Sequence, residues 1–261
     1  MAYHGKKGNL VYDGVNIANL QSYSLTRIGE TADATAMGDT WDKFNAGLTD
    51  FNATAEGLSQ VALDTTALIG GGGSAEFSFQ AAGVNGTAAV IITGITETAV
   101  VDDNISISYS FEGNDTAGIV TATTAGAAAT ASTNTIHGKQ LNGTWGVTPT
   151  AFADVVGWTV TMSCPVSDAT AAHATNCGRV KLAGTNNATA TVTILTPATD
   201  LVILEGVSGA LNLFRSATAT DGRYEGTAIC TGSETGVDRT GTETTTMSFI
   251  YTGEVDLVIT A

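Results

Sequence analysis

The sequence predicts a mainly β protein on three observations. Apolar and polar residues alternate with period two over most of the chain, which sets one strand face on a core and the other toward solvent. Thr and Val, which suit a pleated and half-buried surface, recur throughout. Gly and Asn clusters punctuate the alternating runs.

Taken along the chain, the first run places Ala75, Phe77 and Phe79 between Glu76, Ser78 and Gln80. The clearest runs from Ile105 to Phe111, apolar at Ile105, Ile107, Tyr109 and Phe111. Val156, Trp158, Val160 and Met162 alternate with Gly157, Thr159 and Thr161. Ala190, Val192 and Ile194 come next, then Met247, Phe249 and Tyr251, then Val255, Leu257 and Ile259. Helical spacing is rarer. Leu58, Val61, Ala62, Leu68 and Ile69 share one helical face in a segment closed by Gly70–Gly73. A second helix is expected after Pro197, through Leu201, Leu204 and Glu205. Each half would then carry one short α-helix.

An internal repeat organises these elements. His4-Gly5-Lys6 recurs as His137-Gly138-Lys139, in a chain with only three His. Tyr23–Ala55 lies on Trp158–Ala190 without a gap, matching Asp33-Ala34-Thr35-Ala36 to Asp168-Ala169-Thr170-Ala171. The same window matches Asn52-Ala53-Thr54-Ala55 to Asn187-Ala188-Thr189-Ala190. Gly86-Thr87-Ala88 then matches Gly226-Thr227-Ala228, and Ser108 and Gly113 match Ser248 and Gly253. The expected domains are residues 1–115 and 135–261, joined by an Ala/Thr/Gly linker at 116–134. The repeated His, Gly and Lys residues are read as structural.

With 261 residues, 43% of them hydrophobic, the chain is long enough for one large domain or two ordinary ones. Only 13% are charged, and the net charge of −15 disfavours neutralising nucleic-acid phosphates or docking on an anionic membrane. The first half holds −10 of that charge and the rest −5. Asp13 arrives before any apolar core of a secretory signal, so an intracellular product with reduced Cys164, Cys177 and Cys230 is expected.

No motif points to catalysis, and neither an enzyme nor a cofactor is expected. Cys164, His173 and Cys177 lack the paired short spacings and fourth ligand of a structural zinc site. Gly70–Gly73 lacks the Lys-Ser/Thr of a phosphate loop, and Asp102-Asp103 reads as a solvated turn.

The first half resembles phage major tail tube proteins. The residues that carry the resemblance are the opening Met-Ala-Tyr-His-Gly-Lys, Gln21–Leu25, Glu30–Thr35 and Met37-Gly38-Asp39-Thr40-Trp41. Ala46-Gly47-Leu48-Thr49-Asp50-Phe51 and the closing Ser108–Gly113 continue it. The second half departs at His173-Ala174-Thr175-Asn176, where the first has Gly38–Trp41. It resembles the family through its match to the first half.

The resemblance implies two tandem β-sandwiches, each with a short flanking helix, in a virion tail protein assembled in the bacterial cytoplasm. Sandwich sheets would join into rings, and rings would stack through a long polar excursion into a conduit for DNA. The candidate stacking residues are Glu30, Asp33, Gly38, Asp39, Trp41, Asp42, Lys43 and Gly47. Two sandwiches per chain imply three chains per ring with pseudo-sixfold symmetry, against a hexamer with an appended second half. The partners would be the chain itself, other tail proteins, and DNA passing without specific binding. Carboxylates on a channel wall would repel phosphate, and equally they serve simply to keep a weakly charged protein soluble. Rival readings are a capsid decoration or tail-completion protein and a carbohydrate-binding module using Trp41, Trp145 and Trp158.

Overall fold

In the computed structural model the alternating runs become antiparallel strands, and the chain is mainly β. The structure describes residues 9–17, 19–38, 40–60, 66–78, 85–115, 119–122, 136–138, 141–152, 154–170, 178–196, 205–216, 221–237 and 242–259.

The first half supplies β1 (Asn9–Tyr12), β2 (Val15–Asn16), β3 (Asn19–Asp33), β4 (Phe44–Leu58), β5 (Gly72–Ser78), β6 (Asn85–Val100), β7 (Ser106–Gly113) and β8 (Val120–Ala122). The second supplies β9 (Asn142–Gly146), β10 (Thr150–Ala151), β11 (Val155–Ser163), β12 (Val166–Asp168), β13 (Lys181–Ala183) and β14 (Asn187–Leu195). It ends with β15 (Ser208–Phe214), β16 (Arg223–Gly236), β17 (Thr244–Tyr251) and β18 (Asp256–Val258). The β1–β2 turn is Asp13-Gly14, both at positive φ (46° and 80°), as a two-residue hairpin requires.

Strand β6 organises the first half because it serves two layers. Its first part, Asn85–Ile91, pairs with β5. A bulge between Ile92 and Gly94 turns it, and Gly94–Val100 then pair with β11 along the same edge. Its other edge takes β7 and β8. The β1–β5 layer thus folds over the β3–β4–β7 layer. Phe77 meets Phe111 edge-on with ring centroids 6.2 Å apart, and Tyr23 lies equally close to Phe77. In the second half β16 plays the same part: Arg223–Ile229 pair with β15, and a bulge lies between Cys230 and Gly232. Trp145 packs on Phe249 there at 4.9 Å.

Of the two expected helices, only the ends of the first fall within the described residues. Leu58 closes β4, whose buried positions Phe51, Ala53, Ala55 and Gly57 carry a period of two up to it. Thr66–Leu68 make a single 3-10 turn ended by Gly70 at φ 70°, and residues 61–65 lie outside the described residues. The helix expected after Pro197 falls on residues 197–204, also outside them. Of the expected linker, only 119–122 are described, and β8 there still pairs with β6.

The two halves meet through one continuous ladder. Gly94–Val100 of β6 pair with Gly157–Ser163 of β11, in a sheet of 16 strands among the described residues. Beneath this seam Glu97 and Arg215 are fully buried. Glu97 Oε2 accepts from Arg215 Nη2 at 2.6 Å and from the Tyr224 hydroxyl at 2.7 Å. The guanidinium also donates to the carbonyl of Gln60 and lies over the Tyr224 ring. The buried Glu97 carboxylate holds the Arg215 pKa above its already high value, against the cost of desolvation.

Removing one partner strands a buried charge, whereas removing both leaves packing to be refilled. Arg215→Met should therefore lower unfolding stability by about 3–5 kcal/mol, and Glu97→Leu with Arg215→Met should recover most of it. Guanidinium unfolding checks this; a single-variant loss below about 1 kcal/mol would remove the pair from any role in joining the halves.

Candidate assembly interface

Eight strands of that sheet form the layer that spans both halves, in the order β3-β4-β7-β6-β11-β14-β17-β16. Each half contributes four in the same order. One face is core: Phe51, Tyr109, Ile95, Trp158, Val192 and Phe249 are all buried. Period two places Ser, Thr and Asn on the other face. Hydroxyls meet across neighbouring strands there, as in Ser24 with Thr54 (3.0 Å), Thr98 with Thr159 (3.3 Å) and Thr193 with Thr246 (3.1 Å). Asp50, Glu56, Glu112 and Glu234 carry the charge on this face. Lys181 reaches its margin, while Arg27 alternates onto the opposite side with Tyr23 and Leu25.

Both ends of this sheet are open. Among the described residues β3 pairs only with β4, and β3 is mostly exposed, with Ile28 at 44%. At the other end β15 covers β16 only as far as Ile229, leaving the same edge of Gly232–Val237 without a described strand. Val237 is 74% exposed.

Glu30–Leu48, expected as a polar excursion, begins and ends as a two-stranded ribbon, with Thr31–Asp33 of β3 paired to Phe44–Ala46 of β4. Both ribbon faces are exposed, which removes the alternation. Glu30 and Asp33 lie in β3 and Gly47 in β4, where an added Cβ would come within 3.1 Å of the Glu30 carbonyl. Gly38 turns the tip at φ 103°; Met37 and Trp41 are fully and 83% exposed, and Asp42 and Lys43 are exposed beside them. Asp39 lies outside the described residues, as do His4, Gly5, Lys6, Lys139, His173 and Cys177. His137 makes an isolated bridge to Asn104, and Gly138 is buried where a Cβ would strike the Val100 carbonyl at 2.1 Å. Cys164 and Cys230 are buried free thiols, and burial pushes the Cys230 thiol up.

The base of the excursion is built identically in the two halves. Thr35 N donates to Asp33 Oδ1 and Thr170 N to Asp168 Oδ1, each at 2.8 Å. Ala34 N donates to the Lys43 carbonyl and Ala169 N to that of Val180. Lys43 N and Val180 N donate to the Thr35 and Thr170 hydroxyls, both at 2.9 Å. These bonds align Phe44 with Lys181 and Ala46-Gly47 with Ala183-Gly184, two residues beyond the gapless sequence match. Ala/Thr words coincide at either register, because a slip of two keeps every residue on its face.

The described returning strand of the second excursion lies on the neighbouring half. Lys181 Nζ bonds Asp50 Oδ2 (2.9 Å) and Glu112 Oε2 (2.7 Å), and its amide donates to Asn114. Arg179 pairs with Glu30 and Asp168, and its amide donates to the Thr49 carbonyl. None of Arg179, Lys181, Glu97 or Arg215 stood out in the sequence. The one available signal was Glu97 itself, a charge at a core position between Ile95 and Ala99.

No known protein family model matches the sequence, nor does any curated protein. Among solved structures, a chain of a native gene transfer agent virion is 13% identical, covering 47% of this chain and 98% of its own at a TM-score of 0.40. A chain from the tail of an empty gene transfer agent particle, refined with helical C6 symmetry, is 14% identical at the same coverage and TM-score. A likeness at that score carries no argument about this chain.

The twin turns shift their aspartates in the same direction. Bonds from the Thr35 and Thr170 hydroxyls, then their amides, hold the Asp33 and Asp168 carboxyls below the ordinary 3.8. A depressed folded-state value stabilises the turn above the unfolded pKa, and that contribution is lost as pH falls through the folded value. Carboxyl titration by NMR should place both groups below 3.8, and Thr35→Val should return Asp33 toward it without moving Asp168. Ordinary values for both in the unaltered protein would refute the shared turn.

Proposed function

We propose that this chain is a structural protein of a phage-like virion tail, which polymerises as stacked rings into a tube for DNA. What carries the reading is the eight-strand layer of the sheet, open at both ends, with a core face and a hydroxyl-covered face. An exposed edge is a liability unless it is covered or paired, and pairing edges around a closed ring removes it. Two four-strand runs in one chain are read as duplicated units, so three chains fill six places with pseudo-sixfold symmetry. The sequence resemblance to tail tube proteins supports the same reading.

The hydroxyl face suits a lumen. Glu56 and Glu234, with Asp50 and Glu112 sharing the single Lys181 ammonium, leave a net negative face that would repel phosphate, and Ser and Thr between them offer water-like contacts. DNA would pass without specific binding. The exposed tip with Met37 and Trp41 would contact the next ring, and other tail proteins would cap the ends. The protein would reside in the virion tail after assembly in the host cytoplasm. No catalytic residue, metal or cofactor enters this role.

Electron microscopy of the purified protein should show long hollow tubes, and the mass of one isolated ring should equal three chains. Six full-length chains per ring would overturn the threefold arrangement. Caps on capsids would favour a decoration protein, and monomers under all conditions would favour a binding module. Replacing residues 36–42 by a short Gly-containing turn should leave the fold intact and permit rings but not long tubes. Normal tubes from that variant would remove the tip from stacking.

A further inference from the structure

The seam between β6 and β11 supplies a template for an interface that one chain alone does not complete. Bulges align the strands of the two halves. The break between Leu20 and Ser22 in β3 corresponds to that between Val155 and Gly157 in β11. The break between Ile92 and Gly94 in β6 corresponds to that between Cys230 and Gly232 in β16. Bonds beside the second bulge agree: Gly70 N donates to the Ile92 carbonyl, and Gly206 N to that of Cys230. Thus the free edge of β3 corresponds to β11, and the free end of β16 to the part of β6 that β11 covers.

We infer that Gly232–Val237, the end of β16 and the residue after it, pairs antiparallel with Tyr23–Ile28 of β3 in a second copy of this chain, in the register of the β6–β11 seam. Trp158 opposite Ala99 becomes Tyr23 opposite Val237. Thr161 opposite Thr96 becomes Thr26 opposite Glu234, and Ser163 opposite Gly94 becomes Ile28 opposite Gly232. The inference rests on the self-assembly part of the proposed function and adds which edges meet and how.

Three paired changes of chemistry favour this partner over any other. At the seam within the chain, Ile69 and Met162 line one pocket with Asn186. Their counterparts are Glu205 and Arg27, so two apolar residues of one pocket become a pair of opposite charges. Arg27 already lines an open pocket with Thr49, Asp50 and Phe51, the counterparts of Asn186, Asn187 and Ala188. Second, Lys181 on Glu112 becomes Phe44 on Ile250, which are 61% and 44% exposed in the single chain. Third, the buried Glu97 of the ion pair becomes Thr235, and its partner Tyr224 becomes Gly86, so charge and hydroxyl leave together. Each position changes in step with the one it would touch across the second seam. Neither end of the sheet matches itself in this way, so growth is head to tail.

Cysteine pairs read the register directly, because the Thr96 and Thr161 hydroxyls lie 3.4 Å apart in the template. Full-length Thr26→Cys/Glu234→Cys protein is assembled under reducing conditions, checked by microscopy, then oxidised and run on a non-reducing gel. A ladder of covalent multimers is expected, with at least tenfold less from the shifted pair Ser24→Cys/Glu234→Cys. Rings or tubes that give no ladder, or a ladder from the shifted pair instead, overturn this register and leave the tube reading standing. Failure of the unaltered protein to assemble overturns both. As a second readout, Arg27→Glu should raise the concentration needed for assembly at least tenfold, and adding Glu205→Arg should restore it. A folded double variant no better than Arg27→Glu would overturn the charge pairing.

Discussion

Every strand edge in this chain presents a row of amides and carbonyls that needs a partner, and the architecture is set by how that need is met. Strand β6 meets it twice on one edge, by bending at its bulge from β5 to β11. That single change of neighbour folds one layer over the other and also welds the two halves into one ladder. Seven residues of each strand pair at the seam, and the Glu97–Arg215–Tyr224 cluster lies beneath it. The same bend in β16 has no strand to receive it among the described residues, and the outer edge of β3 is in the same condition.

Charge is scarce in this sequence, and much of the positive charge in the described residues lies where the halves meet. Arg215 is buried beneath the seam, while Arg179 and Lys181 tie the second excursion to Glu30, Asp50 and Glu112 of the first half. Partly exposed pairs of the latter kind add little stability singly, but they set direction and register. The two excursions share one Asp-Ala-Thr turn and differ in their returning strands. Lys181 finds carboxylates on a neighbour already present in the chain. Phe44, at the corresponding place, stays exposed.

In the proposed assembly, that contrast would let two similar four-strand runs serve in two settings. A contact made within a chain forms at high effective concentration and tolerates buried charge, provided that charge is paired. A contact between chains has to be made from surfaces that are also soluble apart. Single exposed apolar residues and one charge pair satisfy both conditions, whereas a preformed buried carboxylate would not.

The strands packed on one side only were legible in the sequence. Ser106–Gly113, Val155–Ser163, Asn187–Leu195 and Thr244–Tyr251 show period two because one face is core and the other is not. The Asp33-Ala34-Thr35 word was legible too, since its turn depends on side chains within three residues. The β3–β4 ribbon was not, because both its faces are exposed and no alternation marks it. Strand β6 was not, because Val90, Ile91 and Ile92 are buried in succession where two layers meet. Local pattern determines which face of a strand is buried; it holds no record of which strand lies alongside. That β11 joins β6, that Arg215 finds Glu97 across 118 positions, and that two edges are left open were decided only by the tertiary fold, since backbone pairing is chemically the same for every neighbour.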